Sequence, residues 1–292
     1  MTILGGQVTI SFAKAADFDL PGLSELFNNA FEGYIGGNVQ SNPMSFAHFL
    51  AHEGVDLGLS DVAVRASQPV ALALIARIGS ASRLAAMGVA KDSQGKGLGK
   101  LLLAHSFEQA CERGDQTYTL ECIEQNERGV KLYMGAGFNT MRRLLSFRRN
   151  SSDVADTAHA AGPVDVGELQ ELDVSAVARL VTYHGAADLP WQVTGYTLAR
   201  FGPPYIAFRL GPAYAVLSSP QQDAIALRNF FVLPQERSQG FGRRLMRSLI
   251  RRYQNKSWVV PAICPEEYGG FFQRMGFEPD HLSQLQMVKT CS

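Results

Sequence analysis

The sequence predicts an α/β protein built as two tandem domains, each a mixed sheet flanked by helices. Three observations carry this. Apolar residues switch repeatedly between a strand period of two and a helical period of 3.6. A strand, a glycine-rich turn and a helix follow one another twice, roughly 140 residues apart, a period too long for a solenoid of short units. A length of 292 residues suits two domains of about 150 each.

The first domain is expected over residues 1–150. Val8 to Ala15 alternates apolar and polar and reads as a strand. Asp17 is the expected cap of a helix running to about Phe31, with Leu20, Leu23, Leu26 and Phe27 on one face. Asn42-Pro43 opens a second helix with Phe46, Phe49 and Leu50 inward. Val62 to Ala66 and Val70 to Ile78 read as a hairpin, and Arg83 to Val89 as the next strand. A glycine turn then opens the helix Gly95 to Arg113, which Gly114 stops. Thr117 to Ile123 is a strand, Asn126 to Ala136 a short helix ended by Gly137, and Phe138 to Arg148 the last strand or pair.

Residues 151–162 are small and polar and read as a linker. The second domain, 163–292, repeats the pattern. Val164 to Glu168 is an expected strand, Ser175 to His184 a helix, Tyr205 to Leu210 and Tyr214 to Ser218 a hairpin, and Ala224 to Val232 a strand. A second glycine turn and helix follow, then the strand Trp258 to Cys264 and a helix from Glu266 to Met275 closed by Gly276-Phe277. The aromatic stretch Trp191 to Phe208 suits either an apolar contact surface or packing.

The glycine turns carry the chemistry. The first is Gln94-Gly95-Lys96-Gly97-Leu98-Gly99, followed by Lys100, five residues after Val89. Glycines leave little side chain over the start of the helix, whose first N–H groups have no intrahelical partner and whose dipole favours an anion. The glycine spacing of two and two excludes the dinucleotide fingerprint, and Leu101 after Gly99-Lys100 excludes a P-loop. The second is Arg237-Ser238-Gln239-Gly240-Phe241-Gly242, again five residues after a valine, Val232.

Both fit Gln/Arg-x-x-Gly-x-Gly/Ala, which resembles the acyl-CoA-binding motif of the GCN5-related N-acetyltransferases (GNATs). A further constellation supports the resemblance: Leu120-Glu121, Asn126 five residues on, Tyr133 seven after that, then Gly137-Phe138. The resemblance implies tandem GNAT-like domains, each with a mixed, mostly antiparallel twisted sheet. It implies acetyl-CoA as co-substrate. It implies that backbone at Met87, Gly88 and Val89 lines the pantetheine arm. The amides of Gln94, Gly95, Lys96, Gly97, Leu98, Gly99 and Lys100 would take the pyrophosphate, and Asn126 would bond the cofactor. Tyr133 would protonate the leaving thiolate and Glu121, directly or through water, would take the amine proton. The two helices after the first strand would build the acceptor pocket, with Glu32, Tyr34, His48 and His52 as candidates. Each residue has a plainer reading. Tyr133 and Cys122 could pack, Glu121 could be an exposed strand carboxylate, and Asn126 a helix cap compatible with cofactor binding.

Aligning Gly276-Phe277 with Gly137-Phe138 puts Phe272 opposite Tyr133 and Pro265 opposite Asn126. The second domain is thus expected to be catalytically degenerate, with Val232 and Arg237 to Gly242 as a second candidate cofactor site. The expected reaction is direct attack of a primary amine, on a small molecule or a peptide, in a ternary complex in the first domain. The same chemistry in the second domain, and a non-catalytic acyl-CoA-binding sensor or scaffold, stand as alternatives.

Composition narrows the rest. Apolar content of 46% and charged content of 18% are those of a folded globular chain. Net charge is zero, so no global field draws the chain to nucleic acid or membrane, although Arg243, Arg244, Arg247, Arg251 and Arg252 crowd one helix. No apolar run approaches the ~20 residues of a membrane span, and Met1 to Gln7 lacks the features of a signal peptide. Cys111, Cys122, Cys264 and Cys291 show neither metal-ligand spacing nor a disulfide framework, so the expectation is a cytoplasmic protein with no metal. Oligomeric state stays open.

Overall fold

The computed structural model of the chain describes residues 10–37, 40–151 and 169–291. These form two compact units: unit 1 is Met1–Met141 with Leu285–Ser292, unit 2 is Arg142–Gln284. The expected strand at 164–168 and the body of the expected linker lie outside the described residues.

Unit 1 contains β1 (Ile10–Lys14), α1 (Leu20–Ala30), α2 (Pro43–Glu53), β2 (Val55–Arg65), β3 (Gln68–Ile78), β4 (Ala81–Val89), α3 (Leu98–Glu112), β5 (Thr117–Ile123) and α4 (Glu127–Gly135), and the start of β6 (Asn139–Arg149). Helix α1 is capped by Asp19, whose Oδ1 accepts from Gly22 N at 2.8 Å, and not by Asp17. With Pro21 at the second helical position, the chain enters the helix two residues later than the apolar pattern alone implies. Asn42 caps α2 as expected. The order is β1-β2-β3-β4-β5, then the end of β12 (Glu278–Thr290). The β1–β2, β2–β3 and β3–β4 pairs are antiparallel and β4–β5 is parallel.

Unit 2 contains the rest of β6, then β7 (Gln170–Leu172), α5 (Val174–His184), α6 (Gly195–Leu198), β8 (Ile206–Leu210), β9 (Ala213–Leu217), β10 (Ala224–Val232), α7 (Phe241–Arg252), β11 (Ser257–Pro265), α8 (Gly269–Arg274) and the start of β12. Its order is β7-β8-β9-β10-β11-β6, again antiparallel except for one parallel pair, β10–β11. Each sheet is covered on both faces. In unit 1 α3 and α4 pack one core with Leu102, Tyr118 and Phe138, while α1 and α2 pack another with Leu23, Phe46 and Leu74. In unit 2 α7 and α8 pack around Leu245, Trp258 and Phe272, and α5 and α6 around Val177, Leu198 and Val216. The aromatics Trp191, Phe201 and Phe208 are buried within unit 2, so most of that stretch is core and not an open surface.

The units do not divide at the expected 150 and 163. Residues 144–149 of β6 pair with β11 in unit 2, with Leu144 opposite Pro265 and Arg149 opposite Trp258. The end of β12, unread in the sequence, stands beside β5 in unit 1, where Met287 is buried in the core and Cys291 N donates to Gln116 O at 3.0 Å. Alternation marks a segment as a strand but carries no information about which sheet it joins.

The cysteines also depart from expectation. Cys111 near the end of α3 and Cys291 after β12 form a disulfide within unit 1, with Cα atoms 5.2 Å apart. They are 180 residues apart in sequence, so no local spacing announces the bond.

Candidate active site

In both units the parallel strands pair and then part. In unit 1 the β4–β5 register covers only Ala81–Leu84 against Thr117–Leu120, and a bulge between Leu84 and Ala86 turns β4 aside. In unit 2 the β10–β11 register covers Ala224–Ala226 against Ser257–Val259, and β10 bulges between Leu227 and Asn229. Each bulge lies four residues before the strand's last valine, Val89 or Val232. A bulge bends its strand and raises its twist, which opens a gap in the sheet.

The glycine turns close over that gap. In unit 1 Gln94 Nε2 donates to Val89 O at 3.1 Å, folding the turn back on the strand end. Gly95 and Gly97 take φ of +75° and +76°, where L side chains are strained, and Gly97 stands at the start of α3 with no side chain capping the helix. The amides of the first turn therefore have no side-chain cap, an arrangement chemically suited to an anion. Leu98 is buried in the core, so only its amide can serve, whereas Lys96 and Lys100 are exposed. Met87 and Val89 pack toward α3, while Gly88 faces the other way. A Cβ on Gly88 would come within 2.7 Å of Ala30 Cβ and 3.0 Å of the Phe31 ring. Close approach of α1 to the strand end is what this glycine permits.

The structure brings Tyr133, Asn126 and Cys122 together beside the gap, with Tyr34 from the loop after α1. Asn126 caps α4, its Oδ1 accepting from Gly129 N at 3.1 Å, and its side chain also hydrogen-bonds the Tyr34 hydroxyl. Tyr133 packs on Phe138 at 6.0 Å. Burial, and secondarily the neighbouring Cys122, Tyr34 and Tyr118, raise its pKa well above the usual phenol value, so it holds its proton. Burial pushes the Cys122 thiol up to about 11, which makes it a poor nucleophile at neutral pH.

The Glu121 side chain is 3% exposed and not the surface carboxylate its strand position also allowed. Its Oε2 accepts from Arg83 Nε at 2.7 Å, and Arg83 also bonds Glu53 of α2 at 2.6 Å. Burial works against the Arg83 charge, but Glu121 and Glu53 outweigh it and raise its pKa above the ordinary guanidinium value. Two carboxylates against one guanidinium leave one net negative charge within this trio, and Glu121 Oε1 is buried without a hydrogen-bond partner. Sequence reasoning missed Arg83 and Glu53, since neither lies near a motif. Among the weaker candidates, exposed Glu32 pairs with Lys91 at 3.1 Å, and His48 and His52 stand together on α2 with ring centroids 6.5 Å apart.

Unit 2 repeats the turn almost residue for residue. Arg237 Nε donates to Val232 O at 3.2 Å, as Gln94 does to Val89. Ser238 and Gly240 take φ of +64° and +86°, matching Gly95 and Gly97, and Gly240 opens α7 without a side-chain cap. Gln239 bonds Gln235 O and Glu236, and Phe241 lies under Arg244. Gly242 meets Val232 and Phe271 as Gly99 meets Val89 and Leu132. That correspondence sets Phe272 opposite Tyr133, and Phe272 is buried in the core with no proton to give. Tyr268 borders the gap but is 52% exposed. Around this gap lies a cavity of about 760 Å³, reaching from the Arg237–Arg243 turn through the sheet to Leu189 and Val193 on the α5 side.

Both units therefore share a sheet parted at its one parallel pair and a helix that starts without a side-chain cap beside the gap. Residues 24–138 match the Acetyltransferase (GNAT) family and residues 205–279 the Acetyltransferase (GNAT) domain. The chain belongs to the GNAT family, as a tandem member and by that membership an acyltransferase. Solved structures share the fold. A tandem GNAT protein from the clavulanic acid biosynthesis pathway matches with a TM-score of 0.68 at 15% identity, over 97% of this chain and 99% of that one. A GCN5-related N-acetyltransferase from Sphaerobacter thermophilus matches at 0.65 and 12%, over 99% and 97%. One from Kribbella flavida matches at 0.64 and 14%, over 97% and 72%. A search of curated proteins returns no significant match.

Proposed function

We propose that the chain is an N-acetyltransferase that moves the acetyl group of acetyl-CoA to a primary amine by direct attack, and that it does so in unit 1. The observation that carries this is Tyr133, a half-buried phenol with a raised pKa beside the β4–β5 gap, where unit 2 has Phe272. The pyrophosphate rests on the free amides after Gly97, and the pantetheine arm runs along Met87 to Val89. The net negative charge around Arg83, Glu53 and Glu121 attracts an ammonium to the α1–α2 face. Its neutral form attacks the thioester carbon, the C–S bond breaks, and the thiolate takes the Tyr133 proton. The amine proton leaves through water to Glu121 Oε1. Cys122, held as a thiol, carries no acyl group.

A second reading places the same transfer in unit 2, and the cavity there favours it. Tyr133→Phe and Phe272→Leu separate the two. General acid catalysis contributes about 10²–10⁴ in rate, so Tyr133→Phe is expected to lower kcat by about 100-fold or more with little change in KM for acetyl-CoA. Phe272→Leu is expected to leave kcat near wild type. Full activity in Tyr133→Phe would remove unit 1 as the site.

A further inference from the structure

Two polar side chains at the β10 bulge each keep one buried polar atom without a hydrogen-bond partner among the described residues. Arg228 and Asn229 are consecutive and both turn to the α5 side. The Arg228 guanidinium carbon lies 5.4 Å from the Phe201 ring centroid, and Asn229 Nδ2 donates to Val193 O at 3.2 Å. Both line the cavity. Arg228 Nε is buried without a hydrogen-bond partner, and Arg228 makes no ion pair among the described residues. Asn229 is 7% exposed, and its Oδ1 is likewise buried and unpartnered. The bond to Val193 O fixes which way the amide points, so the free atom is the acceptor. In unit 1 the position matching Arg228, four residues before the last valine of the strand, is Ala85.

A guanidinium with an unpartnered Nε and an amide with an unpartnered oxygen, on consecutive residues, are complementary to a carboxylate beside an N–H donor. Leaving such groups unbonded costs free energy that a ligand recovers, and a guanidinium holds a carboxylate with two parallel bonds. The rest of this end of the cavity is apolar, with Leu189, Val193 and Phe231. We propose that unit 2 binds an α-amino acid with an apolar side chain, its carboxylate on Arg228 and its ammonium on Asn229 Oδ1. The seat is on the face of the gap opposite the Arg237–Gly242 turn, so an anionic cofactor on that turn and the amino acid can be held together. This proposal fails or stands on binding, whichever unit transfers acetyl groups; the reading above fails or stands on turnover.

The test is calorimetric titration of the full chain with L-phenylalanine, L-leucine and L-methionine, and with phenethylamine and 3-phenylpropanoate, which each lack one of the two groups. At least one amino acid is expected to bind. Phenethylamine and 3-phenylpropanoate are expected to bind at least about tenfold more weakly than L-phenylalanine, as loss of a charge-assisted pair requires. Arg228→Met is expected to erase the difference between L-phenylalanine and phenethylamine. Binding of none of the three amino acids would overturn the proposal. So would less than a tenfold preference for L-phenylalanine in the wild-type chain, a comparison that needs no variant to fold.

Discussion

Burial holds two protons in place at the unit 1 gap. The Tyr133 phenol stays protonated because the apolar surroundings disfavour its anion, with Cys122, Tyr34 and Tyr118 adding to the effect. A donor with a raised pKa is present below that value and lost only as the pH climbs past it. The rate is therefore expected to rise with pH as the acceptor amine loses its proton, with no descending limb below about pH 10, the ordinary phenol value. Measuring kcat/KM between pH 6 and 10 checks this, and a fall near neutrality would point to a different acid. Spacing singles out Tyr133 and Asn126 as candidates, because the family pattern fixes distances along one strand and one helix, and the structure brings both near Tyr34 and Cys122. Arg83, Glu53 and Arg228 are not singled out, because their roles come from strands and helices far apart in sequence. Glu121 is a candidate from the sequence, but its bond to Arg83 is not readable there.

At the scale of elements, the proposed cofactor site rests on the turn before each helix, whose glycines set the backbone conformation that leaves the first helical amides without a side-chain cap. A Cβ on Gly97 would meet nothing within 4 Å, so the cost of a side chain there is conformational only, from φ of +76°. Gly97→Ala is expected to destabilise unit 1 by about 1 kcal/mol. Gly97→Asn, which tolerates that region better, is expected to cost less. Both put a side chain near the free amides and are expected to weaken acetyl-CoA binding; urea denaturation and calorimetry together check the pair. The repeated turn was the clearest signal in the sequence, and Ser238 at φ of +64° shows that its geometry persists where glycine does not. Helix starts were less legible. Asp17 and Asp19 are both acceptable caps by residue type, and the position of Pro21 decides between them.

For the molecule as a whole, the division into two halves could be read from the repeat, but the boundaries could not. Strands β6 and β12 each run from one unit into the other along the chain, and periodicity identifies a strand without its neighbours. The Cys111–Cys291 disulfide ties the C-terminal end of β12 to α3 within unit 1. Closing so long a loop is worth about 2–5 kcal/mol in unfolding free energy. Reduction, or Cys111→Ser with Cys291→Ser, is expected to lower the stability of unit 1 by that amount and leave unit 2 unchanged. Hydrogen exchange resolved by segment distinguishes the two units.

The site of transfer is tested most directly by a crystal structure of the full chain with CoA. The expected result is the pyrophosphate on the amides that follow Gly97, with the sulfur within hydrogen-bond reach of the Tyr133 hydroxyl. CoA held only at the Arg237–Gly242 turn, with its sulfur in the unit 2 cavity and the β4–β5 gap empty at saturating ligand, would contradict it.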